Sequence, residues 1–376
     1  MFRNYGLDLA RILAAYMVMA GHLVFGGSVA TDRAYSDWAG KSEVLPLLSN
    51  NSLWKLDNYL IGTHGTALGI IGVSLFFLIS GWLMPPMLKK YSRSQFLLNR
   101  FLRIFPMLVV AVLLAAAIQY YGGDKTTLDK SGIIATATLT TTLVGKPLTL
   151  GVVWTLIVEF EFYLLLALLG QLTQRKILLT CAGLVAITAL YATFKTHSNP
   201  ILPDLYFIIY MLIGSSVRIA FDEFKISGSK MALCAPAMVV GAFELNRYVL
   251  VKLLELHPGQ DINAISLVIT VALFGAFATV GKLISKSSSA RWIVEQSSNL
   301  TYSIYLTHLA LGIFLISRLR HYLPSDYATL AVTFILVTVL SIITYRFIEL
   351  PGINAFKKIA ENRKTAQLRE AVSTQP

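Results

Sequence analysis

The stretch "LDLARILAAYMVMAGHLVFGG", residues 7–27, carries Asp8, Arg11 and His22 inside an otherwise apolar run. At 100° per residue, Arg11 and His22 point within about 20° of each other and Asp8 lies about 60° from Arg11, so on a helix the three share one face. Ala14, Ala15 and Val18 fall in the same arc and keep that face narrow between its polar ends. The rise from Arg11 to His22 is about 16 Å. An ionisable group at the centre of a membrane span costs roughly 2.5 to 3.5 kcal/mol, so a shared stripe of them points to a site. Guanidinium grips anions and imidazole moves protons or attacks carbonyls, so the stripe suits a slender ligand with an anionic head.

Further polar residues interrupt apolar runs elsewhere. "WTLIVEFEFY", from Trp154 to Tyr163, holds Glu159 and Glu161. These two diverge by about 160° on a helix and cannot both face one cavity. Glu159 shares its face with Thr155 and Tyr163, and counting inward from the expected outer surface puts it near the depth of His22. A carboxylate there would orient and charge-stabilise the imidazole. "NRFLRIFP" places Arg100 and Arg103 at i, i+3 on an expected inner helix end. With Arg11 they set three guanidiniums at one level, suited to a nucleotide-like head group, although a basic flank is also what inner helix ends ordinarily show. In "SLFFLISGWLMPP", Ser80 and Gly81 break an aromatic run where small residues let helices approach closely, and Pro85 and Pro86 are expected to stop the helix. "TYSIYLTHL" puts Thr301, Tyr305 and His308 on one face, and "YRFIELP" sets Glu349 and Pro351 at the inner surface.

The elements that must position these groups are membrane helices. The chain has 376 residues, 55% hydrophobic and 14% charged, with a mean hydropathy of +0.64. That composition excludes an ordinary soluble domain. Apolar runs of spanning length lie at about 7–27, 67–84, 101–121, 152–170, 177–194, 202–221, 231–250, 262–284, 300–318 and 326–347. The expected fold is therefore all-α and polytopic, with about ten transmembrane helices and short loops. Of 32 Lys and Arg, 21 fall on alternate connections together with both ends. This positive-inside bias puts both termini in the cytoplasm and accounts for the net charge of +12 without invoking nucleic acid. The expected division is a membrane domain over 1–351 and a short basic cytoplasmic tail over 352–376. Cys181 and Cys234 lack metal-ligand or redox spacing, and no metal is expected. "GSVA" at 27–30 looks like a signal-peptidase site, but the polar residues before it favour a retained first helix. The expected outer loop 28–66 holds Tyr35, Trp38, Trp54, Asp57, Tyr59 and His64, which suit either a sugar wall or an interfacial aromatic belt.

Taken in order, these stretches resemble the acyltransferase-3 family of integral membrane enzymes, most of which move acetyl groups onto cell-surface glycans. Arg11 and His22 reproduce the family's Arg-x10-His signature, and Leu7, Asp8 and Arg11 its "LD..R" opening. "FFLISGWLM" is similar to "FF.LSGFL", and Arg100, Arg103 and Pro106 fit "R..RI.P". "WTLIVEFEFY" follows "WSL..E..FY" and "TYSIYLTH" follows "SY.IYL.H", each with Thr where the family has Ser. Glu349 and Pro351 fit the closing "E.P".

The resemblance implies acetyl-CoA as a donor drawn from the cytoplasm and a glycan or lipid-linked sugar as acceptor, in a bacterial inner membrane. It implies His22 as base or nucleophile supported by Glu159. Arg11, Arg100, Arg103, Ser80 and Tyr305 are expected to bind the donor, with the pantetheine arm along the α-helical face between Arg11 and His22. Trp154, His308 and Asp8 are expected to contact the acceptor. The rival is a secondary transporter of an anionic solute, with His22 and Glu159 as a proton relay. Against it, no pair of broken helices recurs in corresponding halves.

Overall fold

Polar caps start several of the helices. Asn4 accepts hydrogen bonds from the backbone of Gly6 (3.0 Å) and Leu7 (3.3 Å) and opens α1, Tyr5–Leu23. There follow α2 (Leu68–Lys90), α3 (Arg93–Gly122), α4 (Lys130–Ala137), α5 (Trp154–Leu169), α6 (Gln174–Phe194), α7 (Leu202–Ser227), α8 (Cys234–Tyr248), α9 (Ala264–Ile284), α10 (Ser288–Leu319), α11 (Asp326–Thr344) and α12 (Leu350–Ser373). Asp129, Asn263, Ser287 and Ser325 cap α4, α9, α10 and α11 in the same way, each satisfying a backbone N–H that the first turn leaves orphaned. This computed structural model describes residues 4–24, 55, 59–63, 65–122, 125–194, 202–227, 234–253 and 262–373. Tyr35, Trp38, Trp54, Asp57, His64 and the "GSVA" stretch lie outside the described residues, and Tyr59 is exposed.

Among the described residues, ten helical stretches are long and apolar enough to cross a membrane, one in each expected run. Among the described residues there is no strand. In hydrocarbon every backbone group must be bonded internally, and a helix does this within one segment. A π-helical segment, Tyr345–Glu349, joins α11 to α12. The first turns of α12 pack on the body: Phe356 is buried and meets the Tyr91 ring edge-on.

At the centre, α1 packs on α2, α9 and α10, and α2 packs in turn on α7. Glycines make these contacts backbone to backbone. A Cβ built on Gly81 would lie 1.9 Å from the Met211 carbonyl oxygen, and one on Gly214 would lie 2.2 Å from that of Leu78. On the other side of α2, Gly72 sits against the Ala14 carbonyl and Val18, and Gly21 meets Gly69.

The helix does not stop at Pro85 and Pro86, as the sequence had suggested, but continues to Lys90. Pro85 has no N–H to give to the Gly81 carbonyl. The Ser215 hydroxyl of α7 donates to that carbonyl at 2.8 Å, so the freed acceptor is satisfied by a neighbouring helix. A buried acceptor left without a donor costs about 1–3 kcal/mol. Ser215→Ala should therefore lower the thermal midpoint of the detergent-solubilised protein by several degrees without altering substrate affinity. An unchanged midpoint would show that Ser215 is not what allows α2 to run through its prolines.

Candidate active site

A face of α2 that adjoins its contact with α1 forms one wall of a cavity of about 280 Å³. Val73, Phe76, Phe77, Ser80, Leu83, Met84 and Met87 line it in helical register. The rise from Val73 to Met87 is about 21 Å. Arg11 of α1, Arg100 and Arg103 of α3, Thr155, Glu159 and Tyr163 of α5, and Thr301, Tyr302 and Tyr305 of α10 complete the lining.

One end of this cavity is a cluster of charges. Arg100 is buried, donates to Asn99 Oδ1 from Nε at 3.1 Å, and sets its guanidinium over the Tyr163 ring, 5.4 Å from the centroid. Tyr163 in turn donates its hydroxyl to Glu159 Oε1, as does Ser80 at 2.8 Å. Arg11 has Arg103, Asp8, Glu349 and Glu159 as its charged neighbours. Among the described residues no hydrogen bond engages the guanidinium of Arg11 or of Arg103. Each presents five N–H donors in a fork that matches a phosphate or carboxylate. The cluster is therefore balanced by carboxylates yet keeps two forks available.

Glu349 is the member of this cluster that sequence reasoning left at the membrane surface. It is only 1% exposed, accepts from Ser303 Oγ at 3.0 Å, and has Arg103 and Arg11 as its opposite charges. It is the last residue of the π-helical segment joining α11 to α12. The sequence signals for it are a lone carboxylate ahead of Pro351 at the end of an apolar run and the fit of that pair to the family's closing "E.P".

His22 stands at the other end of α1. Its Nδ1 is 3.1 Å from Nε2 of His308 in α10, and the ring centroids are 5.2 Å apart. His308 is fully buried, and its Nδ1 lies 3.2 Å from the Ile304 carbonyl. Tyr305, which lines the cavity, lies with its ring 5.9 Å from that of His308 and its hydroxyl 2.8 Å from Thr155 Oγ1. The histidine pair thus adjoins the far end of the cavity through Tyr305. His22 is half-buried.

Three expectations about this arrangement are corrected. First, the narrow face of α1 between Arg11 and His22 is not an open slot. Ala14 and Val18 are fully buried there, against Gly72 of α2, and the open wall is the adjoining face of α2 from Val73 to Met87. Small residues invite a helix as readily as a ligand. Second, the residue facing His22 is His308, and Glu159 belongs to the arginine end. From the Gly21–Gly69 contact, Arg11 lies ten residues down α1 and Ser80 eleven down the antiparallel α2, so Glu159, bonded to Ser80, sits level with Arg11 about 15 Å from the histidines. The depth was misjudged because Leu150, Val152 and Val153, just ahead of α5, are themselves buried, so α5 begins well inside the protein. Third, Asp8 and Trp154 do not line the cavity. Asp8 is buried and accepts from Ser298 at 3.0 Å, which braces α1 against α10. Trp154 packs edge-on to Phe77 and lines a second pocket with Lys146 and Asp204 on the other side of α5. Glu161 also stays out of the cavity and has Asp204 as its charged neighbour, in accord with its opposed direction from Glu159. Arg11, Arg100, Arg103, Ser80 and Tyr305 do line the one cavity.

Comparison with known proteins adds a second line of evidence. A family model described as an acyltransferase domain matches residues 4–346. A protein described as acyltransferase MdmB, from Streptomyces mycarofaciens, is 30% identical over 148 residues, covering 36% of this chain. The match takes in 38% of that relative's length. No solved structure matches the chain.

Proposed function

This chain belongs to the acyltransferase-3 family of membrane proteins, and from that premise we propose that it transfers an acetyl group from acetyl-CoA to a hydroxyl of a cell-surface or lipid-linked glycan. The observation that carries the reading is the single cavity that joins Arg11, Arg100 and Arg103 to Tyr305 and, beyond it, the histidine pair. The guanidiniums take the phosphates of the nucleotide. The pantetheine arm runs along Val73 to Met87 of α2, a wall long enough for an extended chain, and brings the thioester up to Tyr305. Glu159 and Glu349 offset the charge of the arginines and keep their forks apart, and Ser80 holds Glu159 in place. The positive-inside bias puts the arginine end in the cytoplasm, where acetyl-CoA is made, and the histidines toward the other face of a bacterial inner membrane.

At the histidine end, the acceptor hydroxyl passes its proton to His22 as its oxygen bonds to the thioester carbonyl carbon. The carbon–sulfur bond then breaks, the acetyl group leaves as the new ester, and the thiolate takes the proton back from His22. Either general-base action or attack by the ring would put positive charge on His22 that His308 can share; the proposed route is the general-base one. No metal enters these steps.

Membranes containing the protein, given acetyl-CoA radiolabelled in the acetyl group, should place label on surface or lipid-linked glycan in ester linkage. Label that crosses the membrane unchanged would support a carrier instead. Label retained on His22 in the absence of acceptor would overturn the general-base step in favour of an acetyl-histidine.

A further inference from the structure

We propose that His308 is a positioning residue that sets the tautomer of His22, so that the reacting nitrogen of His22 is Nε2. The inference rests on the reading of His22 as the group that handles the acceptor proton. It begins at the Ile304 carbonyl, which can only accept. His308 Nδ1, 3.2 Å away, therefore carries the hydrogen of that contact. His308 is fully buried, between a carbonyl on one side and an imidazole on the other, and a second ring proton there would be an unpaired buried charge. With its one hydrogen on Nδ1, its Nε2 is left as an acceptor.

The nitrogen 3.1 Å from that acceptor is Nδ1 of His22. It must donate, so the single hydrogen of neutral His22 also sits on Nδ1 and its Nε2 keeps a lone pair. A backbone carbonyl in the middle of α10 thus acts through two rings, alongside the Val18 carbonyl that the His22 ring meets on α1, to set which nitrogen of α1 is basic. The effect is specific because a neutral imidazole alone in water favours the opposite tautomer, with hydrogen on Nε2. In that form His22 would offer the acceptor hydroxyl a donor where a base is needed. The arrangement does for His22 what a buried carboxylate does in other catalytic histidines, but with a neutral partner.

During transfer the same contact spreads charge. When His22 Nε2 takes the acceptor proton, its Nδ1 hydrogen is drawn closer to His308 Nε2, which shares the positive charge while the proton stays on His22. When the departing thiolate recovers a proton from His22 Nε2, the shared hydrogen returns. No net proton is gained or lost over the cycle, and no further reactant is required.

The test is nitrogen-15 NMR of the histidine-labelled full-length protein in detergent or nanodiscs, with the two rings assigned by the loss of their signals in His22→Gln and His308→Gln. In the resting wild-type protein both rings should be protonated at Nδ1 and bare at Nε2. His308→Ala should shift His22 toward the Nε2-protonated form and lower kcat by about 10²- to 10⁴-fold, the range of a catalytic histidine in the wrong tautomer. His308→Gln, whose amide oxygen can still accept from His22 Nδ1, should recover at least about tenfold over the alanine variant. A purely structural role for His308 moves none of the ring signals. His22 protonated at Nε2 in the folded, resting wild-type protein overturns the proposal even if His22→Ala is inactive, because the wild-type spectrum depends on no variant folding. Conversely, the expected tautomers together with an active His22→Ala variant would remove the catalytic reading while leaving the ring pairing as described.

Discussion

Replacing His22 with alanine should lower kcat for acetyl transfer by about 10²- to 10⁴-fold, the usual worth of a positioned general base. The effect should fall on kcat and leave the KM for acetyl-CoA near its wild-type value, because the guanidiniums that hold the donor head lie about 15 Å away along α1. Folding should survive, since the ring is only half-buried and its hydrogen bond to His308 is a side-chain contact on which no helix depends. Size-exclusion behaviour in detergent and the thermal midpoint check that point. A variant that is well folded and transfers acetyl at the wild-type rate would exclude His22 from the chemistry and leave the cavity as a binding site alone.

Removing Arg103 or Arg11 should have the opposite kinetic signature. Each fork lines the cavity and makes no hydrogen bond among the described residues, so it is placed to pair with a phosphate. Truncating one partner of a buried, hydrogen-bonded charge pair costs about 2–5 kcal/mol. At about 1.4 kcal/mol per decade, KM for acetyl-CoA should rise by roughly 30- to 3,000-fold in Arg103→Ala, with kcat at saturation changed far less. Arg11→Lys should recover part of the loss, because the charge remains while the two-pronged geometry does not. Acetyl-pantetheine, which lacks the nucleotide, supplies the control. The wild-type protein should prefer acetyl-CoA strongly, and Arg103→Ala should lose most of that preference because the two changes remove the same contact. If Arg103→Ala discriminated between the two donors as well as the wild type does, the arginine cluster would not be the phosphate site. The two experiments together separate the ends of the cavity.

The sequence by itself determined the ten membrane helices, because hydrocarbon imposes a length and an apolar content that can be counted residue by residue. It also determined which polar groups leave the lipid. Arg11 stands out as a costly interruption of an apolar run and Arg100 and Arg103 as a basic pair at a helix end, Ser80 and Tyr305 join them through the family resemblance, and the five share one cavity. The opposed directions of Glu159 and Glu161 followed from helical periodicity alone.

What only the tertiary structure decided is how the helices register against one another. Periodicity assigns a residue to a face but does not say what covers that face, so the Ala14–Val18 stripe is filled by α2 rather than by ligand. Counting residues from a loop gives depth only when the helix begins at the membrane surface, and α5 begins inside the protein, which carries Glu159 to the arginine end and leaves His308 to face His22. Pro85 and Pro86 read as a stop because a lone helix cannot repair the lost donor, whereas Ser215 on a neighbouring helix does. Glu349 reaches the arginines from a π-helical segment, and i→i+5 winding leaves no period in the residues that precede it. Each of these outcomes depends on atoms contributed by a second helix, distant in the chain, and a one-dimensional pattern records only the first.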